Sequence, residues 1–268
     1  MTRVALGVEY QGGGYCGWQT QPAGPSIQSL LTAAVASVAA APVWLTAAGR
    51  TDAGVHACAQ VAHFDCEQQR TANAWVLGVN SALPADISVC WAREVPQHFH
   101  ARYAAMTRTY RYLILNRRAR SGLNAGRALL VHRGLDVPRM NEAAASLVGE
   151  HDFSAFRAAE CQARSPVRKV YALRVLRSGD WVWAEISANA FLHHMVRNIV
   201  GLLLAVGRGD APPSRAAEQL AARQRALGEA TAAAHGLYLW RVEYPLAFGL
   251  PQQSAIIWPG DAATRGAG

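Results

Sequence analysis

Residues 49–57, with the sequence GRTDAGVHA, are the most informative stretch of this chain. Strand-like apolar segments at 43–47 and 60–65 flank them and predict a loop between two strands. The glycines permit tight backbone geometry around Asp52. An aspartate in a Thr-Asp-Ala-Gly run is typically a turn former that hydrogen bonds its own backbone. Alternatively, an Asp52 kept ionised near Arg50 is a nucleophile, a general base or a metal ligand. The loop alone leaves both interpretations open.

The rest of the chain mixes strand and helix patterns. Runs of β-branched and apolar residues predict strands, and apolar residues at i, i+3, i+4 and i+7 predict helices. The predicted strands are 4–10, 43–47, 60–65, 87–94, 107–115, 167–176, 181–189 and 237–243, and the predicted helices are 27–38, 73–81, 138–148, 192–206 and 214–223. Ser26 is the expected N-cap of the first helix. This order predicts an α+β protein with two lobes, 1–105 and 106–250, and a flexible tail, 251–268.

Composition indicates a soluble globular protein of the cytoplasm. The chain has 268 residues, of which 51% are hydrophobic and 16% charged, values that do not fit disorder or a disulfide scaffold. The five cysteines form neither a C-x-x-C pair nor a zinc spacing, which is typical of reduced thiols. The N-terminus turns polar too soon for a signal peptide. The longest near-apolar run, 199–206, is too short to span a membrane.

Positive charge is concentrated in one segment. The formal net charge is +8, and residues 101–140 contain nine arginines against one aspartate, so this segment carries the whole excess. Biased coding explains a general richness in Arg and Ala, but it does not explain such clustering. Because arginine binds phosphate bidentately, the segment predicts a local basic face for a polyanion.

Seven segments in order resemble the tRNA pseudouridine synthase A family, and together they extend from about Val4 to Tyr244. The loop GRTDAGVHA resembles the family signature whose aspartate is the catalytic nucleophile. The other six segments are EYQGGGYCGWQTQP (9–22), NSALPADISV (80–89), FHARYAAMTRTYRY (99–112), GEHDFSAFR (149–157), FLHHMVRNIVG (191–201) and AHGLYLWRVEY (234–244). One departure is Gln11, where the family commonly has Asp, and we expect that position to be structural.

The resemblance implies an enzyme that isomerises uridine to pseudouridine at positions 38, 39 and 40 in the anticodon stem-loop of tRNAs. It implies the pseudouridine synthase fold, with two α+β lobes that share a mixed, mostly antiparallel central sheet and a basic cleft between them. It also implies a homodimer. The reaction needs no oxidant and no added atom, which agrees with a sequence that has no dinucleotide, P-loop or metal motif. We therefore expect no cofactor and no metal.

Four side chains correspond to functional residues of the family. Asp52 matches the catalytic group and Arg197 the arginine that pairs with it, although an arginine on an apolar helix also snorkels to solvent. Arg50 matches the residue that fills the place of the flipped base, and an ordinary solvated loop arginine is the alternative. Tyr110 matches the tyrosine that stacks on the target uracil, while packing beside Tyr112 across the sheet is the alternative.

The basic segment supplies further candidates for contacts with the RNA backbone. Arg102, Arg108 and Arg111 are predicted to bind phosphates, although Arg108 and Arg111 point to opposite faces of one strand. Three rival functions remain open from the sequence. They are a synthase of the same family that acts on other RNA sites, a non-catalytic RNA-binding protein, and a metal-dependent nuclease that uses Asp52 with histidines.

Overall fold

The computed structural model of the protein describes residues 1–225 and 228–251, in two compact units. The first unit comprises residues 1–108 with the described residues from Tyr238 onward, and the second comprises the described part of Thr109–Leu237. The strands are β1 Thr2–Tyr10, β2 Thr46–Ala47, β3 His56–Cys66, β4 Ile87–Val95, β5 Thr107–Asn116, β6 Leu129–Val131, β7 Gly149–Asp152, β8 Val167–Ser178, β9 Trp181–Ala188 and β10 Leu237–Glu243. The helices are α1 Ile27–Ala39, α2 Ala72–Ala82, α3 Val137–Ala145, α4 Met195–Arg208 and α5 Arg215–Ala222.

The first unit is a mixed sheet with two helices. Its strands follow the order β4-β1-β3-β10, and β2 pairs with β3. β1 runs antiparallel to both β3 and β4, whereas β10 runs parallel to β3, with Tyr238 opposite His56. β3 is buried along almost its whole length, as expected for a central strand covered on both faces.

Helices α1 and α2 pack on each other, and α2 packs on β4. The hydroxyl of Ser26 accepts a hydrogen bond from the backbone N–H of Ser29, and the Ser29 side chain completes a capping box, which fixes the start of α1. The hydroxyl of Thr71 accepts a hydrogen bond from the backbone N–H of Ala74 and caps α2. The N-cap predicted at Ser26 is therefore confirmed.

The second unit has the strand order β5-β9-β8-β7, and β6 pairs in parallel with β5. β8 forms antiparallel ladders with β7 and β9. Helix α3 packs on β8 and on α4, and α4 also packs on α5. Nearly every residue of α4 is buried, as its apolar sequence predicts. In the part of the chain that the structure describes, no helix has the length and apolarity needed to cross a membrane.

The α+β class and the mixed, mostly antiparallel strand pairing are confirmed. Residues 238–250 were predicted in the second lobe, but the contacts of β10 group them with the first unit, because β10 pairs with β3. Helix α4 begins at Met195 rather than at 192, because His194 adopts a left-handed conformation with a φ of 62°. The short strands β6 and β7 were not predicted. From residue 252 on, the predicted tail lies outside the described residues.

Candidate active site

The loop between β2 and β3 places Asp52 in a tight turn. The backbone N–H of Val55 donates to the carbonyl of Asp52 at 3.1 Å, which closes the turn. Gly54 has a φ of 79°, a left-handed conformation that glycine adopts without steric cost. The turn predicted from the Thr-Asp-Ala-Gly run is therefore present, and it presents a half-buried carboxylate. Turn formation and a chemical role for Asp52 are compatible.

A buried hydrogen-bond network fixes Thr51, the neighbour of Asp52. The hydroxyls of Tyr10 and Thr51 lie 2.8 Å apart, and the side-chain amide of Gln60 donates to the carbonyl of Gly49 at 2.7 Å. Both Tyr10 and Thr51 are almost fully buried. Burial raises the pKa of Tyr10 far above its usual range, so the phenol stays neutral and can donate. The loop backbone is thus positioned by strands β1 and β3.

The glycine-rich segment before α1 supports the other side of the loop. The backbone N–H of Trp18 donates to the carbonyl of Thr51 at 3.0 Å. A Cβ added at Gly17 would lie 2.6 Å from the same carbonyl oxygen, and one added at Gly12 would lie 1.9 Å from the carbonyl oxygen of Val55. Only residues without a side chain permit these close backbone contacts.

His56, the first residue of β3, connects the Asp52 loop with the glycine-rich segment before α1. Its Nδ1 accepts a hydrogen bond from the backbone N–H of Gly12 at 3.0 Å, so the ring proton belongs on Nε2. The imidazole ring stacks on Tyr238, with the ring centroids 4.6 Å apart. Tyr238 of β10 therefore stabilises the end of the loop that carries Asp52. Arg50, within the loop, is exposed.

Tyr110 and Tyr112 have different environments on β5. Tyr112 is fully buried and donates its hydroxyl to the carbonyl of Ala233 at 2.8 Å, so it belongs to the core. Tyr110 retains 8% exposure and makes an edge-to-face contact with Phe191, with centroids 5.0 Å apart. The contact with Phe191 orients the Tyr110 ring.

Arg197 lies in the first turn of α4 and is half-buried. Its Nε donates to the carbonyl of Ala232 at 2.8 Å, while the N–H of Ala232 donates to the carbonyl of Arg197 at 3.1 Å. The first turn of α4 contains no acidic residue. The positive end of the helix dipole and the guanidinium therefore add to one positive potential, which favours an anion such as a carboxylate or a phosphate.

The structure gives Arg108 an internal role in place of the predicted phosphate contact. Its side chain is 8% exposed. The guanidinium donates to the carbonyl of Ala48 at 2.8 Å and to the carbonyl of Arg102 at 2.6 Å. Backbone carbonyls satisfy an otherwise costly buried charge here. Arg108 consequently ties the segment before β5 to the residue that follows β2.

Arg111 is likewise engaged within the protein rather than presented to phosphate. Its Nε lies 2.6 Å from a carboxylate oxygen of Glu185, and Arg174 approaches the other oxygen at 2.7 Å. Burial favours a raised pKa for Glu185, but the hydrogen bonds and charges of the two arginines outweigh it and hold that pKa below its usual range. Glu185 is therefore a buried anion that joins β5, β8 and β9.

Several arginines of the basic segment do face solvent. Arg102 is exposed, as are Arg118, Arg120 and Arg127 in the connection between β5 and β6. Arg117 shapes that connection by donating to the carbonyl of Ala119 at 2.9 Å. The exposed arginines Arg102, Arg118, Arg120 and Arg127 thus lie in the loops before and after β5 rather than on the strand.

A family model described as tRNA pseudouridine synthase matches residues 7–104 and 143–245. The chain belongs to this family. The matched ranges contain Arg50, Asp52 and Arg197, whereas Tyr110 lies between them. The predicted family is confirmed.

Curated relatives cover almost the whole chain. A tRNA pseudouridine synthase A of Thiobacillus denitrificans is 51% identical over 259 residues, which are 97% of this chain and 99% of that protein. The corresponding protein of Methylococcus capsulatus is 55% identical over 252 residues, covering 94% of this chain and 93% of that one. One of Pseudomonas aeruginosa is 53% identical over 254 residues, covering 94% and 89%.

In this member of the tRNA pseudouridine synthase family, the residues that position the Asp52 loop were not predicted from the sequence. Tyr10, Gln60 and His56 fix the backbone around Asp52. Tyr10 and Gln60 stand in ordinary strand patterns, and His56 belongs to the loop motif, whose sequence does not reveal its contact with Gly12. The signal that could have found them is the pair Gly12 and Gly17, because glycine permits the close approach of another backbone.

Proposed function

We propose that this chain isomerises uridine to pseudouridine at positions 38, 39 and 40 in the anticodon stem-loop of tRNAs, with Asp52 as the essential catalytic group. Membership of the tRNA pseudouridine synthase family makes the protein an isomerase that acts on tRNA. The observation that supports Asp52 best is the buried network around Thr51, which fixes the loop backbone before any substrate binds. Such preorganisation is what a reaction at a single carbon centre requires.

The reaction breaks the bond between C1′ of the ribose and N1 of uracil, and it forms a bond between C1′ and C5. C5 loses its proton and N1 gains one, so atoms and electrons balance without an external reagent. A uridine in a stem or loop must first leave its stack, which costs roughly a few kcal/mol. A closed pocket is needed because the detached uracil would otherwise escape.

In each route open to Asp52, the carboxylate is the reactive form. It attacks C1′ or C6, or it removes a sugar proton to give a glycal. We assign to Arg197 the positive charge that favours the ionised carboxylate, since its helix start already favours an anion. We assign to Tyr110 the ring that stacks on the target uracil, and its edge-to-face contact with Phe191 supports a fixed ring orientation.

Exposed arginines supply affinity for the RNA backbone. Arg50, on the loop that carries Asp52, is exposed and suited to enter the stack in place of the flipped base. Arg102, Arg118 and Arg120 are exposed and bind phosphates, whereas Arg108 and Arg111 are engaged inside the protein. Phosphate contacts of this kind provide affinity and orientation rather than base specificity.

We propose further that the protein is a homodimer that acts on tRNA in the cytoplasm. The absence of any cysteine pairing pattern supports a reducing compartment. None of the five cysteines, all of which the structure describes, forms a disulfide. Dimerisation is implied by the family resemblance and is tested by sedimentation at micromolar concentration.

Tritium release tests the function at single-nucleotide resolution. Anticodon-arm transcripts carry one C5-tritiated uridine at position 38, 39 or 40, or at a control position in the same arm. Because C5 loses its hydrogen only when a new bond forms there, we expect release from the first three and none from the control. Release from other positions alone would indicate a synthase with different targets. Tight binding without release from any position would indicate a non-catalytic RNA-binding protein.

A further inference from the structure

Between β4 and β5, the short segment 100–105 presents an aromatic ring and an arginine to solvent. Tyr103 is 77% exposed, although it is a large apolar ring, and Arg102 beside it is exposed too. The Tyr103 ring stacks on the imidazole of His100, with centroids 4.3 Å apart and planes inclined by 28°. The guanidinium carbon of Arg102 lies 5.8 Å from the centroid of the same ring, within range of a cation–π attraction.

His100 fixes the backbone that bears these two side chains. Its Nδ1 accepts hydrogen bonds from the backbone N–H groups of both Arg102 and Tyr103, at 3.1 and 3.2 Å. A nitrogen that accepts two hydrogen bonds carries no proton, so His100 is neutral with its proton on Nε2. Burial, and next the charge of Arg3, lower the pKa of His100, which favours this neutral form. The carbonyl of His100 also accepts from the N–H of Ala104 at 2.9 Å.

Side chains from other parts of the first unit also hydrogen bond to the backbone of segment 100–105. The carbonyl of Ala101 accepts from the hydroxyl of Tyr244 at 2.6 Å, and its N–H donates to Nδ1 of His63 at 3.2 Å. The buried guanidinium of Arg108 donates to the carbonyl of Arg102. An exposed ring on a backbone this constrained is displayed in one orientation, so it loses little conformational entropy when another ring stacks on it.

We propose that Tyr103, with Arg102, forms a stacking site for one unpaired nucleobase of the RNA substrate. This inference rests on the proposed function, because it assumes an RNA ligand. The occupant is a base rather than an apolar protein side chain, since the exposed guanidinium of Arg102 lies beside the ring and favours a ligand that carries a phosphate. A base stacked on Tyr103 brings its phosphate within reach of Arg102, and aromatic stacking accepts any of the four bases. Only an unpaired base offers a free face, so the site discriminates loop from duplex.

The test compares two RNAs and four variants by fluorescence anisotropy at fixed salt. One RNA is an anticodon-arm hairpin with its unpaired loop, and the other is a fully paired duplex of equal charge. Tyr103→Ala should weaken hairpin binding by about tenfold, the range typical of one lost base stack, and leave duplex binding unchanged. Tyr103→Phe should retain both affinities. Arg102→Ala should weaken both RNAs and lower the salt dependence, because it removes a phosphate contact.

Tyr171→Ala is the matched control. Tyr171 is also an exposed tyrosine beside a cation, with the amino group of Lys169 5.9 Å from its ring centroid. We expect this variant to bind both RNAs as the wild type does. Equal hairpin losses in Tyr103→Ala and Tyr171→Ala, equal losses of hairpin and duplex in Tyr103→Ala, or unchanged hairpin binding would each overturn the stacking site.

Photocrosslinking gives a readout that does not depend on affinity. A hairpin with 5-iodouridine at each loop position in turn should crosslink at one position to Tyr103, as mapped by peptide mass spectrometry. Crosslinks confined to other residues would contradict the proposal. Tritium release by the wild type, measured on the same preparation, separates the two proposals. A loop-specific loss in Tyr103→Ala without tritium release would support the stacking site and refute the synthase function.

Discussion

Three consecutive glycines offer a sharp test of how the Asp52 loop is positioned. A Cβ at Gly12 would lie 1.9 Å from the carbonyl oxygen of Val55, whereas ordinary contact begins at 3.4 Å, so one backbone must move by about 1.5 Å. At Gly13 and Gly14, nothing lies within 4 Å of an added Cβ. Gly12→Ala therefore displaces the end of the loop that carries Asp52, while Gly13→Ala and Gly14→Ala make the same chemical change in open space.

We expect Gly12→Ala to lower the free energy of unfolding by about 1–3 kcal/mol, the usual cost of overpacking. A displacement of this size should also reduce kcat for tritium release by about 100-fold. The Gly13 and Gly14 variants should stay within about 0.5 kcal/mol of the wild type, with unchanged kcat. Thermal denaturation and the tritium assay measure both quantities. Wild-type stability and kcat in Gly12→Ala, or equal losses in all three variants, would refute this account of the loop.

Three further substitutions probe buried polar groups. Tyr10→Phe removes the hydrogen-bond partner of Thr51, so it should lower the free energy of unfolding by about 1 kcal/mol. It should also lower kcat while the affinity for tRNA stays unchanged. A loss of tRNA affinity with unchanged kcat would contradict this. Burial lowers the pKa of His63 to about 4, so stability should fall as pH drops from 6.5 to 4, by up to about 1.4 kcal/mol per unit. Urea titrations at several pH values should show that the free energy of unfolding of His63→Gln depends less on pH than that of the wild type. An equal pH dependence would contradict the lowered pKa of His63. Glu185→Gln should lower the free energy of unfolding by about 2 kcal/mol at pH 7. Because the pKa of Glu185 is depressed, the difference in stability between wild type and variant should disappear below about pH 4.5. A difference that does not change with pH would contradict a charged Glu185.

Local signals predicted the elements that are locally determined. Ser26 caps α1 and the apolar run of α4 is buried, because capping and amphipathic patterns act over a few residues. The start of α4 was misplaced, since a left-handed His194 leaves no trace in an apolar pattern. The short strands β6 and β7 depend on pairing with distant partners, which single-strand patterns do not reveal.

In the candidate site too, local features were predicted correctly and features that depend on distant contacts were not. The loop around Asp52 was found because its residues are contiguous and resemble a family signature. Arg108 and Arg111 were assigned to phosphate on local charge, whereas their partners Ala48 and Glu185 lie about 60 and 74 residues away in the chain. A charge count cannot show which arginines are engaged inside the fold, because that depends on tertiary contacts.

The chemical role of Asp52 is the central claim, and one comparison tests it most directly. Single-turnover tritium release from C5-labelled anticodon-arm RNA is measured for the wild type, Asp52→Asn and Asp52→Ala, with RNA affinity determined on the same samples. Asparagine keeps the shape of the side chain but cannot act as a nucleophile or base. We predict that both variants bind RNA as the wild type does and release tritium at least about 1,000-fold more slowly. Release by Asp52→Asn within about tenfold of the wild-type rate would contradict the account.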